Sequence, residues 1–209
     1  MKKYVFAAAA LLLVSACAKK EDVPYVQTTF VMGTPAHVKV YGAGDIEGKK
    51  LADAVITEWT RISSEYSITE PYGYTAHVNK NAYRKEVRVD DELLGLLAQA
   101  MDYFSLTGGA FDITFAPLWP IWKEAAGSKK MPSKEAITKA LADMGSGYVR
   151  IDRARKTIRF TRPVQINMGG LLRSYALQRG RAVVRQAVGN KYPVELKLGG
   201  NVLAYGNRN

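Results

Sequence analysis

The chain reads as a single α+β domain, a mixed sheet with flanking helices, and three observations predict it. Apolar residues make up 47% of the 209 residues and aromatics 10%, enough for one sizeable core. Segments with helical spacing and segments that alternate like strands follow one another without the strict β-α-β order of a doubly wound sheet. No internal repeat, low-complexity tract or shift in composition marks a second domain.

The first residues, MKKYVFAAAALLLVSAC, stand apart from that domain. Lys2 and Lys3 form a basic head, Val5 to Val14 an apolar run, and Val14-Ser15-Ala16 small residues suited to cleavage before Cys17. The run is too short for a retained membrane span, which needs about 20 residues. Residues 1–16 are therefore expected to be a signal peptide. Cys17 is the sole cysteine, and its place after VSA resembles the bacterial lipobox. Acylation there would anchor the protein at the bacterial cell envelope, facing the periplasm or the exterior. Residues 17–25 would be the tether and 26–209 the domain. With its one thiol acylated, the fold would hold without a disulfide.

Within the domain, Thr28 to Tyr41 reads as strand, and GAGD leads into a helix carrying Leu51, Val55, Trp59 and Ile62 at intervals of three or four. Residues 63–81, rich in Ser, Tyr and turn formers, read as irregular. A helix follows with Leu93, Leu94, Leu97, Met101 and Phe104 on its spacing, ended by Gly108-Gly109 through positive φ. Phe111, Ile113 and Phe115 alternate like a half-buried strand. Residues 116–132 read as a loop whose Trp and Pro residues cover the core or wall a pocket. Pro132-Ser133 opens a further helix with Ile137, Ala140, Leu141 and Met144, stopped by Gly145. A hairpin spans 148–160, then come strand, Gly-Gly and helix (164–189), and strand, Gly-Gly and strand (194–206).

A net charge of +11 invites a nucleic-acid partner. The basic residues are scattered, however, except in RIDRARKTIRFTR, where they alternate with Ile151, Ile158 and Phe160 as on the solvated face of a hairpin. No nucleic-acid partner is expected, whereas anionic lipid or a phosphate ligand suits the balance. His37 and His77 are too far apart for a local metal motif, and no Ser-His-acid set or cysteine nucleophile can be read. Of three Gly pairs at element junctions, Gly108-Gly109, Gly169-Gly170 and Gly199-Gly200, the middle one, between a strand and a helix, is best placed to face an anion, although such a pair more often makes an ordinary tight turn. It has neither dinucleotide nor Walker spacing.

Five fragments occur in a telling order: MGT (32–34), SEY with HVN (64–66, 77–79), TGGAFDIT (107–114), INMGGLLRSYA (166–176) and LGGN (198–201). Together they resemble the ApbE-type FAD:protein FMN transferases, several of which are bacterial lipoproteins. The resemblance implies magnesium-dependent transfer of FMN from FAD to a threonine hydroxyl of an acceptor flavoprotein in a membrane redox complex, releasing AMP. It makes Ala110, Phe111 and Asp112 contacts of FAD, lays Met32 against the flavin and stacks Tyr66 on its ring. Gly170 would offer a carbonyl to Mg²⁺.

The fourth fragment departs from the family's usual LDLGGIAKGYA. Asn167 stands for the acid, Arg173 for the lysine and Ser174 for the glycine, so a charge is lost at Asn167 while Arg173 can still pair with phosphate. Relative to the family pattern the chain is expected to lack C-terminal strands, a histidine that contacts FAD and an acidic segment that ligates metal. An open sheet edge and a weakly held metal would follow. Two other readings stay open: a catalytically inactive flavin-binding or partner-binding lipoprotein, and a structural surface lipoprotein.

Overall fold

The computed structural model describes residues 23–207; the expected signal peptide, Cys17 and most of the tether lie outside the described residues. The elements run β1 (Tyr25–Val31), β2 (Thr34–Val40), α1 (Asp45–Tyr66), α2 (Tyr74–Asn81), β3 (Val87–Arg88), α3 (Asp91–Leu106), α4 (Leu118–Ser128) and α5 (Lys134–Ala142). A 3-10 turn at Ser146–Tyr148 then leads into β4 (Val149–Asp152), β5 (Thr157–Phe160), α6 (Gly169–Val188), β6 (Val194–Leu198) and β7 (Asn201–Tyr205). This is the α+β architecture expected, with two antiparallel sheets ordered β1-β2-β6-β7 and β3-β5-β4.

Alternation in β2 and β6 builds the centre of the larger sheet. Ala36 faces Leu198, Val38 faces Leu196 and Val40 faces Val194, and all six side chains are buried. The covering layer is α1 crossing α6. Leu51, Val55, Trp59, Ile62 and Tyr66 put one apolar stripe of α1 inward at helical spacing. The crossing is close: a Cβ at Gly180 of α6 would lie 2.9 Å from Trp59 Nε1 and 3.1 Å from Val55 Cγ1. Trp59 Nε1 donates to the Ala176 carbonyl at 2.7 Å, which satisfies the buried indole.

The helix-terminating glycines behave as expected. Gly108 and Gly109 have φ of 60° and 89°, and Gly109 N–H donates to the Phe104 carbonyl at 2.8 Å. At the other end of α3 the Asp90 side chain accepts from Leu93 N–H at 2.7 Å.

Several segments differ from the sequence reading. The strand expected over Thr28–Tyr41 is a hairpin, broken at Met32-Gly33, where φ is 53° and 68°. Positive φ at both central residues is the requirement of a type I′ turn. Residues 63–81 are largely helical, since α1 runs to Tyr66 and α2 starts after Gly73. Phe111–Phe115 forms no strand, and neither does the segment before Gly169. Residues 118–128, expected as loop, form α4: its two prolines sit at the N-cap and in the first turn, where a missing N–H is tolerated. Trp119 and Trp122 on α4 are exposed and do not cover the core.

Candidate functional site

Four of the five fragments are brought to one end of the larger sheet by turns that glycine allows. The β6–β7 turn begins at Gly199, with φ of 58°, whose N–H donates to the Pro35 carbonyl at 2.9 Å. A Cβ there would lie 2.6 Å from Thr34 Oγ1, so this turn packs directly against the MGT hairpin. Asn201 Nδ2 then donates to Ser174 Oγ at 3.4 Å, tying LGGN to the first turns of α6.

The end of α3 meets the same region. Asn167 N–H donates to the Ile113 carbonyl at 2.6 Å, and the Phe111 ring lies over Gly170, where a Cβ would come within 3.1 Å of Phe111 Cε2. Phe111 is held in turn by an edge contact with Tyr103, ring centres 5.7 Å apart. Asn79, from HVN, exchanges two hydrogen bonds with the backbone of Ile166: its Nδ2 donates to the carbonyl at 2.9 Å and its Oδ1 accepts from N–H at 2.8 Å. This clamp replaces the sheet partner that the extended residues before Gly169 would otherwise need.

Between α3 and α6 these contacts leave a cleft of about 500 Å³, lined among others by Gln99, Tyr103, Phe111, Gly170, Ser174 and Tyr175. Among the described residues no charged side chain lines it. Aromatic faces with a few amides and hydroxyls suit a flat, uncharged ring system with polar edges. Tyr175 Oη donates to Glu92 Oε1 at 2.6 Å, and burial, followed by that carboxylate, pushes its pKa up, so the phenol stays protonated. Glu92 also accepts from Arg61 Nη2 at 2.8 Å, which fixes the wall of the cleft to α1.

Asp112, the acid of TGGAFDIT, is occupied by its own chain. Its Oδ1 accepts from Thr114 N–H at 2.7 Å, Thr114 Oγ1 at 2.6 Å and Ser146 Oγ at 2.7 Å, and its Oδ2 accepts from Ser146 N–H at 3.1 Å. Burial raises its pKa, but the hydrogen bonds from Thr114 and Ser146 outweigh it and hold the carboxyl below the usual range. The carboxylate thus fastens the loop after α3 to the turn before β4.

The remaining site candidates divide. Phe111 and Gly170 line the cleft, whereas Ala110 is exposed on the loop beside it. Met32 is half-buried in the neighbouring hairpin turn. Asn167 is buried, and its Oδ1 accepts from Gly169 N–H at 2.9 Å, which occupies one of the free amides at the start of α6. Arg173 is exposed on the second turn of α6. Tyr66 is fully buried: its hydroxyl donates to Asp90 Oδ2 at 3.1 Å and its ring stacks on Tyr74, centres 6.0 Å apart. In this arrangement Tyr66 has no free face to offer a flavin, and the exposed member of the stacked pair is Tyr74.

The residues present do not by themselves fit Mg²⁺. Among the described residues no group of three or more His, Cys, Asp or Glu is placed to hold a metal, and Asp112 is already engaged. Gly170 would supply a single neutral oxygen where magnesium sites use one or two carboxylates.

Sequence reasoning missed Tyr103, Tyr175, Asn79 and Ser146. Asn79 lies in a fragment already singled out, and Tyr103 sits on the last turn of a recognised helix. Nothing in the sequence links Ser146 to Asp112 across 34 positions.

Comparison with known proteins agrees with this geometry. The chain is 25% identical over 178 residues to the FAD:protein FMN transferase of Chlamydia pneumoniae, covering 85% of this chain and 54% of the relative. The corresponding protein of Haemophilus influenzae is 23% identical, with 99% of this chain and 62% of the relative covered. The chain thus spans little more than half the length of these curated relatives. Its fold superposes on the ApbE protein of Thermotoga maritima with a TM-score of 0.79 at 27% identity, covering 88% of this chain and 60% of that one. For the flavinyl transferase ApbE of Pseudomonas stutzeri, 20% identical, the TM-score is 0.72, with 90% of this chain and 62% of that one covered. The ApbE family model matches residues 32–209, the stretch that holds every fragment converging on the cleft, and the chain belongs to the ApbE family.

Proposed function

We propose that this chain is the flavin-binding portion of an FAD:protein FMN transferase, with the isoalloxazine ring of FAD in the cleft between α3 and α6. The observation that carries the reading is the meeting of TGGAFDIT and INMGG at that cleft, where Phe111 lies over Gly170. Phe111 and Tyr103 would give the ring aromatic contact, and Gly170 the close approach that a side chain would block. Met32 and Ala110 would border the ligand, and Arg173, exposed on the second turn of α6, would pair with the diphosphate.

The reaction is attack of an acceptor threonine hydroxyl on the phosphorus of the FMN half. The new bond joins that oxygen to phosphorus, the bond to the bridging oxygen breaks, AMP leaves and the threonine proton passes to solvent. Alignment of the two partners accounts for what the chain's own residues can contribute. Magnesium belongs to this reading through the resemblance, and no step is assigned to it, because the described residues offer one carbonyl and no group of three or more His, Cys, Asp or Glu placed to hold a metal. The acceptor would be a flavoprotein of a membrane redox complex, with the transferase held at the cell envelope by acylated Cys17.

A specific observation favours a second reading. Asp112 is tied into the fold and Asn167 carries no charge, so a flavin-binding lipoprotein without transfer activity is the alternative. Calorimetric titration with FAD, with and without Mg²⁺, followed by flavinylation of a threonine-containing acceptor, separates the two. Binding with labelled acceptor establishes the transferase, and magnesium-independent binding without labelling establishes the alternative. Absence of any FAD binding rejects both. Phe111→Ala should weaken FAD binding at least tenfold. Asp112→Ala should also weaken it, through the loop it fastens, and should lower stability by about 2 kcal/mol by orphaning the buried Thr114 and Ser146 donors.

A further inference from the structure

A second cavity, of about 590 Å³, lies between the last turns of α6 and the end of β7 and shares no residue with the flavin cleft. Arg181, Arg185, Asn190, Lys191 and Tyr205 line it, and among the described residues no carboxylate does. Two of these side chains carry a polar atom that is closed off from water and has no hydrogen-bond partner among the described residues: Nε of Arg181 and the hydroxyl of Tyr205. Groups so placed are rare in a folded chain, because burial removes their water without returning a partner. They distinguish this cluster from an ordinary solvated run of cations.

We propose that this cavity binds a phosphate-bearing anion. Its polar side chains are mainly donors: two guanidinium forks, an ammonium, a phenol and amide N–H groups, so they call for a ligand with several acceptor oxygens and at least one negative charge. Arginine pairs with phosphate in two-pronged fashion. Arg181 Cζ sits 5.7 Å from the centre of the Tyr205 ring, which steadies both. Burial pushes the Tyr205 phenol up to about 12, against the pull of Arg181 and Arg185, so it remains a donor at neutral pH. Among the described residues the carboxylate nearest to these cations is Glu47, whose oxygens are 3.4 and 3.5 Å from Lys191 Nζ. Among the described residues no ion pair holds Arg181 or Arg185. The carbonyl end of α6 opposes an anion, but Gly189 N–H already occupies the Arg185 carbonyl at 2.9 Å.

The position adds a connection. Ser174, Gln178, Arg181 and Arg185 follow at intervals of four, three and four, so they fall on one face of α6, and Ser174 and Gln178 line the flavin cleft. The two sites therefore lie along one side of a single helix. A free phosphate ester and the headgroup of an anionic lipid share the chemistry required.

The test uses the full chain. Titration with inorganic pyrophosphate at saturating FAD should show saturable, salt-sensitive binding that weakens at least tenfold in Arg185→Gln and in Arg181→Gln. Arg153→Gln, exposed in the β4–β5 turn, should leave it unchanged, and Tyr205→Phe should weaken it several-fold without lowering the thermal midpoint. Co-sedimentation with phosphatidylglycerol vesicles, against phosphatidylcholine alone, distinguishes the sources. Vesicle binding lost in the same arginine variants identifies a lipid headgroup, and pyrophosphate binding without it identifies a soluble ester. Absence of both, or equal binding in wild type and Arg185→Gln, overturns the proposal.

Discussion

Met32 shows how much one residue can reveal. Its φ of 53° is a conformation that an unbranched side chain adopts at a penalty of about 1 kcal/mol, and Asn-Gly would suit the same turn without it. A strained non-glycine residue in the hairpin against which the β6–β7 turn packs is a place to test for function. Met32→Asn is expected to raise stability by about 0.5–1 kcal/mol in urea denaturation while weakening FAD binding several-fold in a fluorescence titration. Raised stability with unaltered affinity would leave Met32 a turn residue alone. At this scale the sequence was legible where chemistry is local. Gly108 and Gly109 announced a helix end, and Phe111 and Gly170, singled out in separate fragments, lie against one another. Tyr66 was not legible in the same way, since whether its ring faces a ligand or the core depends on Tyr74 and Asp90, which no spacing rule joins to it. Asp112 could be recognised, but its partners Thr114 and Ser146 could not.

At the scale of elements, the α1–α6 crossing decides whether the cleft keeps its shape. Gly180→Ala would gain up to about 1 kcal/mol of helix propensity. The new methyl, however, would lie 2.9 Å from Trp59 Nε1, 3.1 Å from Val55 Cγ1 and 3.2 Å from Leu196 Cδ1. Overpacking of this kind costs about 1–3 kcal/mol, so crowding wins and a net loss is expected. Urea denaturation should show a lower midpoint with unchanged slope; an unchanged or higher midpoint would mean that the helices can part without penalty. The elements with strong periodicity, α1 and α3 above all, were visible from the chain alone, as were the β4–β5 and β6–β7 hairpins. The failures have separate causes. Prolines at the start of α4 looked like loop formers, although that is where a helix tolerates them. Residues 164–168 had a strand's composition but bond to Asn79 and Ile113 instead of a sheet. Pro71, Gly73 and the tyrosines on either side of α2 hid a short helix.

For the whole molecule, one ion network joins the layers around the cleft. Glu58 accepts from Arg61 at 2.9 Å and from Arg179 at 2.8 Å, and Arg61 reaches Glu92, so α1, α3 and α6 are tied together. The Arg61 hydrogen bond, followed by that of Arg179 and opposed by burial, draws the Glu58 carboxyl down to about 2 from 4.5. A depressed carboxyl stabilises the fold above its unfolded value and loses that contribution as pH falls through the folded one. Stability should therefore hold from pH 7 to about 5 and decline between about 4.5 and 2. Glu58→Gln should lower stability at pH 7 by about 1–2 kcal/mol, discounted because the Arg61 side chain is 33% exposed, and should flatten the acid decline. Denaturation midpoints at several pH values check this, and parallel declines in both proteins would assign the acid sensitivity elsewhere. The distribution of tryptophan gives the molecule a built-in optical readout. Trp59 is sealed in the core, while Trp119 and Trp122 stand in solvent on α4. A collisional quencher such as acrylamide will extinguish the red-shifted emission of the outer pair and spare the blue-shifted inner indole. The quenchable fraction then reports any molecule that settles on α4, without a label or a substitution.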